Sequence, residues 1–131
     1  MARYIGWWSF LGFGYWAVEE RGSGAFVGDL GFMDALRDIE PSIVGLPEAG
    51  WVFAPKFHGR GYASEALDAA LAWVDATHAA PRTAALIAAE NAPSLALAKK
   101  FGYAEATTID FAGVTTGVFY RVRGARPDAT H

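Results

Sequence analysis

A chain of 131 residues, 53% hydrophobic and 19% charged, is long enough to bury a core and is not disordered in composition. Its net charge of −3, without a Lys/Arg run, argues against the basic face that nucleic-acid binding requires, and the absence of cysteine excludes disulfides, thiolate metal sites and a cysteine nucleophile. His58, His78 and His131 stand at no metal-ligand spacing, so no metal is expected.

The first segment, MARYIGWWSFLGFGYWAV, is apolar from Tyr4 to Val18. That is short of the roughly 20 residues a membrane span needs. Glu19, Glu20 and Arg21 follow it, where a signal peptide would carry small residues. The segment reads as core-facing, with a short helix over 3–11 ending at Gly12, and the protein as cytoplasmic with no membrane role. YWAVEE (15–20) is rich in strand formers, RGSG (21–24) is turn chemistry, and AFVGDLGF (25–32) is a returning strand, together a hairpin. A polar loop with prolines follows from Met33 to Pro47, and AGWVFAP (49–55) is a short apolar strand closed by proline.

The clearest helix runs over 63–78. Ala63, Ala66, Leu67, Ala70, Leu71 and Val74 share one face of its wheel, and Pro81 ends it. TAALIAAE (83–90) is a buried strand. A second helix follows from Pro93 to Phe101, with Gly102 after its end, and two strands over 103–111 and 115–123 make a second hairpin. No repeat or linker interrupts this order, so residues 1–131 read as a single α/β domain with a mixed sheet.

Between the strand at 49–55 and the helix at 63–78 lies KFHGRGYASEAL, with two glycines flanking Arg60. A glycine loop feeding a helix N-terminus suits a phosphate, which backbone N–H groups and the helix dipole both favour. Arg60 could add a charge-assisted contact. A plain sharp turn explains the same glycines. A Rossmann loop would want glycine at Ser64, and a P-loop would want Gly-Lys-Ser/Thr, which is absent.

APKFHGRGYASEAL followed, after a strand, by ENAPSLALAKKFGY resembles the GNAT superfamily of acyl-CoA-dependent N-acyltransferases, and is most similar to the branch of ribosomal-protein N-terminal alanine acetyltransferases. The resemblance extends through YWAVEERGSGAFVGDLGF and EAGWVFAP, so it covers most of the chain. It implies a mostly antiparallel sheet with a splayed central strand pair, 49–55 and 83–90, and flanking helices. Acetyl-CoA is the implied cosubstrate. The family loop, Gln/Arg-x-x-Gly-x-Gly/Ala, falls here on His58, Gly61 and Ala63, with His58 a departure. The coenzyme diphosphate would lie on the main chain of His58, Gly59, Arg60, Gly61, Tyr62 and Ala63. Pantetheine would run along Val52, Phe53 and Ala54, with an N–H near Val52 or Phe53 facing the thioester oxygen, and Asn91 touching the arm.

The resemblance further implies direct attack of an amine on the thioester in a ternary complex. Many relatives place a proton-donating tyrosine where this chain has Ala98. Ser94 is the candidate donor in its stead. Glu48, just before the central strand, is the candidate base. Each has a plainer explanation: Asn91 and Ser94 flank a helix start and suit capping, and Glu48 suits a solvated loop. The acceptor would be a small amine or a protein N-terminus. Relatives usually begin with a strand and one or two helices that this chain is expected to lack, the segment at 3–11 being the end of the last of those helices. The strand at 15–20 would then be an open edge, for which a homodimer is the expected cover. The rival functions are a non-catalytic coenzyme A-binding or self-associating GNAT core, and a nucleotide-binding switch.

Overall fold

The computed structural model describes residues 2–6, 15–34 and 37–127. Among these the architecture is α/β, with seven strands, antiparallel in the pairs between strands whose register is known, and two α-helices. The chain divides into two units, residues 1–33 with 49–78 and residues 34–48 with 79–131.

In the first unit the strands lie in the order β1 (Ala2–Gly6), β2 (Tyr15–Glu20), β3 (Phe26–Met33) and β4 (Glu48–Phe53), and the helix α1 spans Tyr62–Thr77. Register pairs Trp16 with Leu30 and Val18 with Gly28. Because side chains alternate along a strand, Trp16, Val18 and Glu20 share one face of β2. That face meets α1: the Trp16 ring stands edge-on to Trp73 at 5.1 Å. Helix α1 buries Ala66, Leu67, Ala70, Leu71 and Val74, as the apolar spacing predicts, with Tyr62 buried at its start and Ala63 only half-buried. Each large member of that stripe contributes about 1.5–3 kcal/mol by leaving water. A side chain at Gly28 would bring its Cβ to 2.2 Å from the Val52 carbonyl oxygen, so the close approach of β3 and β4 requires glycine there.

Two expectations fail in this unit. Residues 2–6 are not helical but form β1, paired antiparallel with β2 from Ala2↔Glu20 to Gly6↔Trp16; residues 7–11 of the expected helix lie outside the described residues. Consequently β2 is not an open edge, and the case for a homodimer built on that edge goes with it. The strand expected over 49–55 also stops at Phe53, and a single 3₁₀ turn, Pro55–Phe57, precedes the glycine loop. Helix α1 closes at Thr77, before Pro81.

In the second unit β5 (Arg82–Ala88) and β6 (Ala104–Phe111) both pair antiparallel with β7 (Val114–Val122), which is therefore central in the order β5-β7-β6. The β6–β7 hairpin turns at Ala112 and Gly113, both at positive φ, as its right-handed twist favours. The helix α2 spans Ala92–Lys100. Ile43, Ala84 and Val118 form a core cluster with Leu46, Leu86 and Ile109 packed on it. Thr83 and Tyr103 share a buried hydrogen bond of 2.8 Å, and the fully buried Arg121 donates from Nε and Nη2 to the Ala125 carbonyl, whereas Asp34 Oδ1 is buried without a hydrogen-bond partner among the described residues. Among the described residues no helix is long and apolar enough to cross a membrane.

Candidate functional site

The glycine loop is built on backbone that only glycine adopts readily. Gly59 has φ 77° and Gly61, the N-cap of α1, has φ 82° and ψ −2°. No side chain caps α1. Its first intrahelical bond is from the Glu65 N–H to the Gly61 carbonyl, 3.0 Å. The first-turn amides and the positive end of the dipole thus start from a residue with no side chain to occupy them, the arrangement that receives an anion. A Cβ at either glycine would meet no atom within 4 Å, so it is the backbone conformation, not crowding, that selects glycine.

Upstream, the His58 ring bonds the Phe53 carbonyl through Nε2 at 3.0 Å. His58, in the place where the family pattern has Gln or Arg, closes a side-chain bridge from the loop to the end of β4. The Ala54 N–H donates to the Val27 carbonyl at 2.7 Å, so that amide is already used within the sheet. Val52 is 69% exposed on β4 and Phe53 is half-buried. The first unit therefore holds nine of the candidate residues within the twelve-residue stretch 52–63: Val52, Phe53, Ala54 and all six from His58 to Ala63.

A residue absent from the sequence-based expectations anchors this loop. Glu20, the last residue of β2, accepts from Arg60 Nη2 at 3.0 Å and from the Tyr62 hydroxyl through Oε2, and from Ser23 Oγ at 2.7 Å through Oε1. The Tyr62 bond, then the Ser23 bond, and the Arg60 charge hold the Glu20 carboxyl below its ordinary value of 4.5, against a smaller opposing effect of burial. The same bond, followed by burial, raises the Tyr62 hydroxyl above 10.0. Arg60 also lies 5.4 Å from the Phe57 and Tyr62 ring centroids. Its guanidinium is thus engaged by this carboxylate, where the sequence suggested a phosphate. The available signal was strand alternation, which puts a carboxylate at the end of the helix-facing side of β2.

The second unit holds the remaining candidates. Glu48 is buried, 6% exposed, and Arg37 grips both its oxygens, Nε to Oε1 at 2.6 Å and Nη2 to Oε2 at 3.0 Å. It is not the solvated loop acid that its position allowed. Arg37 in turn lies 5.0 Å from the Phe111 ring centroid. Asn91 is the N-cap of α2, and its Oδ1 accepts the Ser94 N–H at 3.2 Å. Asn91 and Ser94 are therefore brought together, by the backbone of Ser94, and the side chain of Ser94 is half-buried. Among the described residues no cluster could hold a metal ion.

Comparison with known proteins bears on this geometry directly. The family model of the acetyltransferase (GNAT) domain matches residues 1–104. An uncharacterized Bacillus subtilis protein, YkkB, is 34% identical over 98 residues, which are 75% of this chain and 55% of that protein. A putative GnaT-family acetyltransferase from Bordetella pertussis superposes with a TM-score of 0.77 at 34% identity, over 84% of this chain and 66% of that one. A ribosomal-protein-S5-alanine acetyltransferase from Vibrio fischeri shares the fold, with a TM-score of 0.70 at 13% identity over 86% of this chain and 62% of its own. The chain spans a little over half to two thirds of the length of these relatives. With the family model covering most of the sequence and the glycine loop in the matched region, the chain belongs to the GNAT acetyltransferase domain family.

Proposed function

We propose that this chain, as a single domain over residues 1–131, is an acetyl-CoA-dependent N-acetyltransferase acting on a primary amine, of the branch that includes the ribosomal-protein alanine acetyltransferases. The observation that carries the proposal is the left-handed pair Gly59 and Gly61 at an α1 N-terminus with no side-chain cap. The diphosphate would rest on the amides of 59–63, and Val52 and Phe53 would offer main-chain bonds to pantetheine and the thioester oxygen. The amine nitrogen would attack the acetyl carbon and the carbon–sulfur bond would break. Glu48 would take the amine proton, directly or through water, and Ser94 would supply one to the departing thiolate. The acceptor would be a small amine or a protein N-terminus, which the acidic residues Asp34, Asp38, Glu40 and Glu48 suit in charge.

One observation favours a second function, a coenzyme-binding domain without turnover. Both Glu48 oxygens are held by Arg37, and Asn91 Oδ1 caps α2. The two separate in one experiment. Calorimetry with acetyl-CoA should give saturable heat in either case. Release of free coenzyme A should accelerate with members of an amine panel only if the chain is an enzyme, and Ser94→Ala and Glu48→Gln should each slow it by about 10²- to 10⁴-fold. No heat with acetyl-CoA would overturn both.

A further inference from the structure

We infer that Glu20 is a positioning residue for the coenzyme loop, an inference that rests on the coenzyme proposal above. The Glu20 backbone is pinned by the β2–β3 turn: its N–H donates to the Ala25 carbonyl at 2.9 Å and its carbonyl accepts the Gly24 N–H at 2.8 Å. The side chain therefore projects from a fixed point at the end of a sheet strand. Its two oxygens divide their work. Oε1 takes Ser23 of its own turn, and Oε2 takes Arg60 and Tyr62, forty residues on in the chain.

Arg60 and Tyr62 are the two neighbours of Gly61. Gly61 sits at φ 82°, a conformation with no side chain of its own to hold it. Fixing the residue before and the residue after it fixes the two peptide planes that join them, and with them the direction of the Gly61 and Tyr62 amides. The rings of Phe57 and Tyr62, edge-on at 5.7 Å, close the same segment around the Arg60 guanidinium. Glu20 need not touch the coenzyme to matter. It holds the cradle in one conformation before the anion arrives, and affinity rises when ordering costs are met in advance. Arg60 offsets its negative charge, so the carboxylate does not face the diphosphate bare.

The test is calorimetric titration of coenzyme A into the wild type, Glu20→Ala, Tyr62→Phe and the double variant, each well below its own melting temperature. A residue that only stabilises the fold leaves Kd unchanged there. A positioning residue weakens Kd by about tenfold in Glu20→Ala and about threefold in Tyr62→Phe, and the double variant binds no more weakly than Glu20→Ala. Unchanged or tighter binding in folded Glu20→Ala overturns the inference, the latter because it would make Glu20 a competitor of the phosphates. So does a fully additive loss in the double variant. If Glu20→Ala does not fold, Tyr62→Phe decides: unchanged Kd overturns. Should the wild type itself give no heat, the coenzyme proposal falls and takes this inference with it. Should the wild type bind and the variants match it, only the role of Glu20 falls.

Discussion

Helix α1 starts at Gly61, in the left-handed region and with no side-chain cap, whereas α2 starts at Asn91, whose Oδ1 takes the Ser94 N–H at 3.2 Å. A self-capped start is stabilised locally by about 1 kcal/mol. A glycine start forgoes that, and leaves amides and the dipole directed outward. In the first unit the loss is offset from a distance, by the Glu20 carboxylate holding Arg60 and Tyr62 on either side of the glycine. The lesson is that an uncapped helix start takes its order from tertiary partners, while a capped one supplies its own.

The largest effect expected from breaking this contrast is at Gly61. Gly61→Val forces a β-branched residue to positive φ, a cost of about 1–2 kcal/mol before any contact is counted. No neighbour lies within 4 Å of the added Cβ, so the loop will change conformation rather than jam. Coenzyme A affinity should fall by at least about tenfold, with a lower melting temperature that does not recover on adding the ligand. Retained affinity in Gly61→Val would remove the reason for assigning the diphosphate to this loop.

Next in size is the opposite start. Asn91→Ala deletes the cap of α2 and should cost about 1 kcal/mol of stability, read as a shift in the urea midpoint. Because Asn91 is also a candidate contact of the pantetheine arm, the same variant tests whether the cap is its whole role. Coenzyme A affinity unchanged while stability falls would leave Asn91 a purely structural residue, and a parallel loss of affinity would give it both.

Much of this contrast was legible in the sequence because it is written in short-range terms. The 3.6-residue spacing of Ala66, Leu67, Ala70, Leu71 and Val74 gave α1 and its buried face, the turn chemistry after Glu20 gave the β2–β3 hairpin, and Asn91 before Pro93 marked a capped start. What was not legible depends on partners far along the chain. Residues 2–6 carry no alternation that separates strand from helix, and only pairing with β2 makes them β1. Glu20 looked like a charge closing an apolar run until strand alternation and the position of α1 set it against Tyr62. Glu48 read as a candidate base or a solvated loop acid because nothing local announces Arg37, eleven residues earlier, as the group that grips it. The sequence also offered Arg60 as a phosphate contact, and nothing near it in the chain announces its bond to Glu20, forty residues earlier.

The smallest expected effect sharpens the same contrast through pH, since one start is tied to titrating groups and the other is not. Glu20 has its folded carboxyl below the ordinary 4.5, so its contribution to stability is present above that value and is lost as pH falls from 4.5 through the folded one. Tyr62 is shifted the other way: its contribution is present below 10.0 and is lost as pH rises from there through the folded value. The difference in urea midpoint between wild type and Tyr62→Phe should therefore be flat from about pH 5 to 9 and shrink on both sides. It will be small, because partly exposed pairs are screened by solvent. The corresponding difference for Asn91→Ala, where an amide caps a backbone N–H and no proton is exchanged, should be independent of pH over the whole range. A Tyr62→Phe difference that persists undiminished at the acid end would mean that the hydroxyl is not bonded to an ionised Glu20 in solution, and the tether proposed for the open helix start would have to be sought in Arg60 alone.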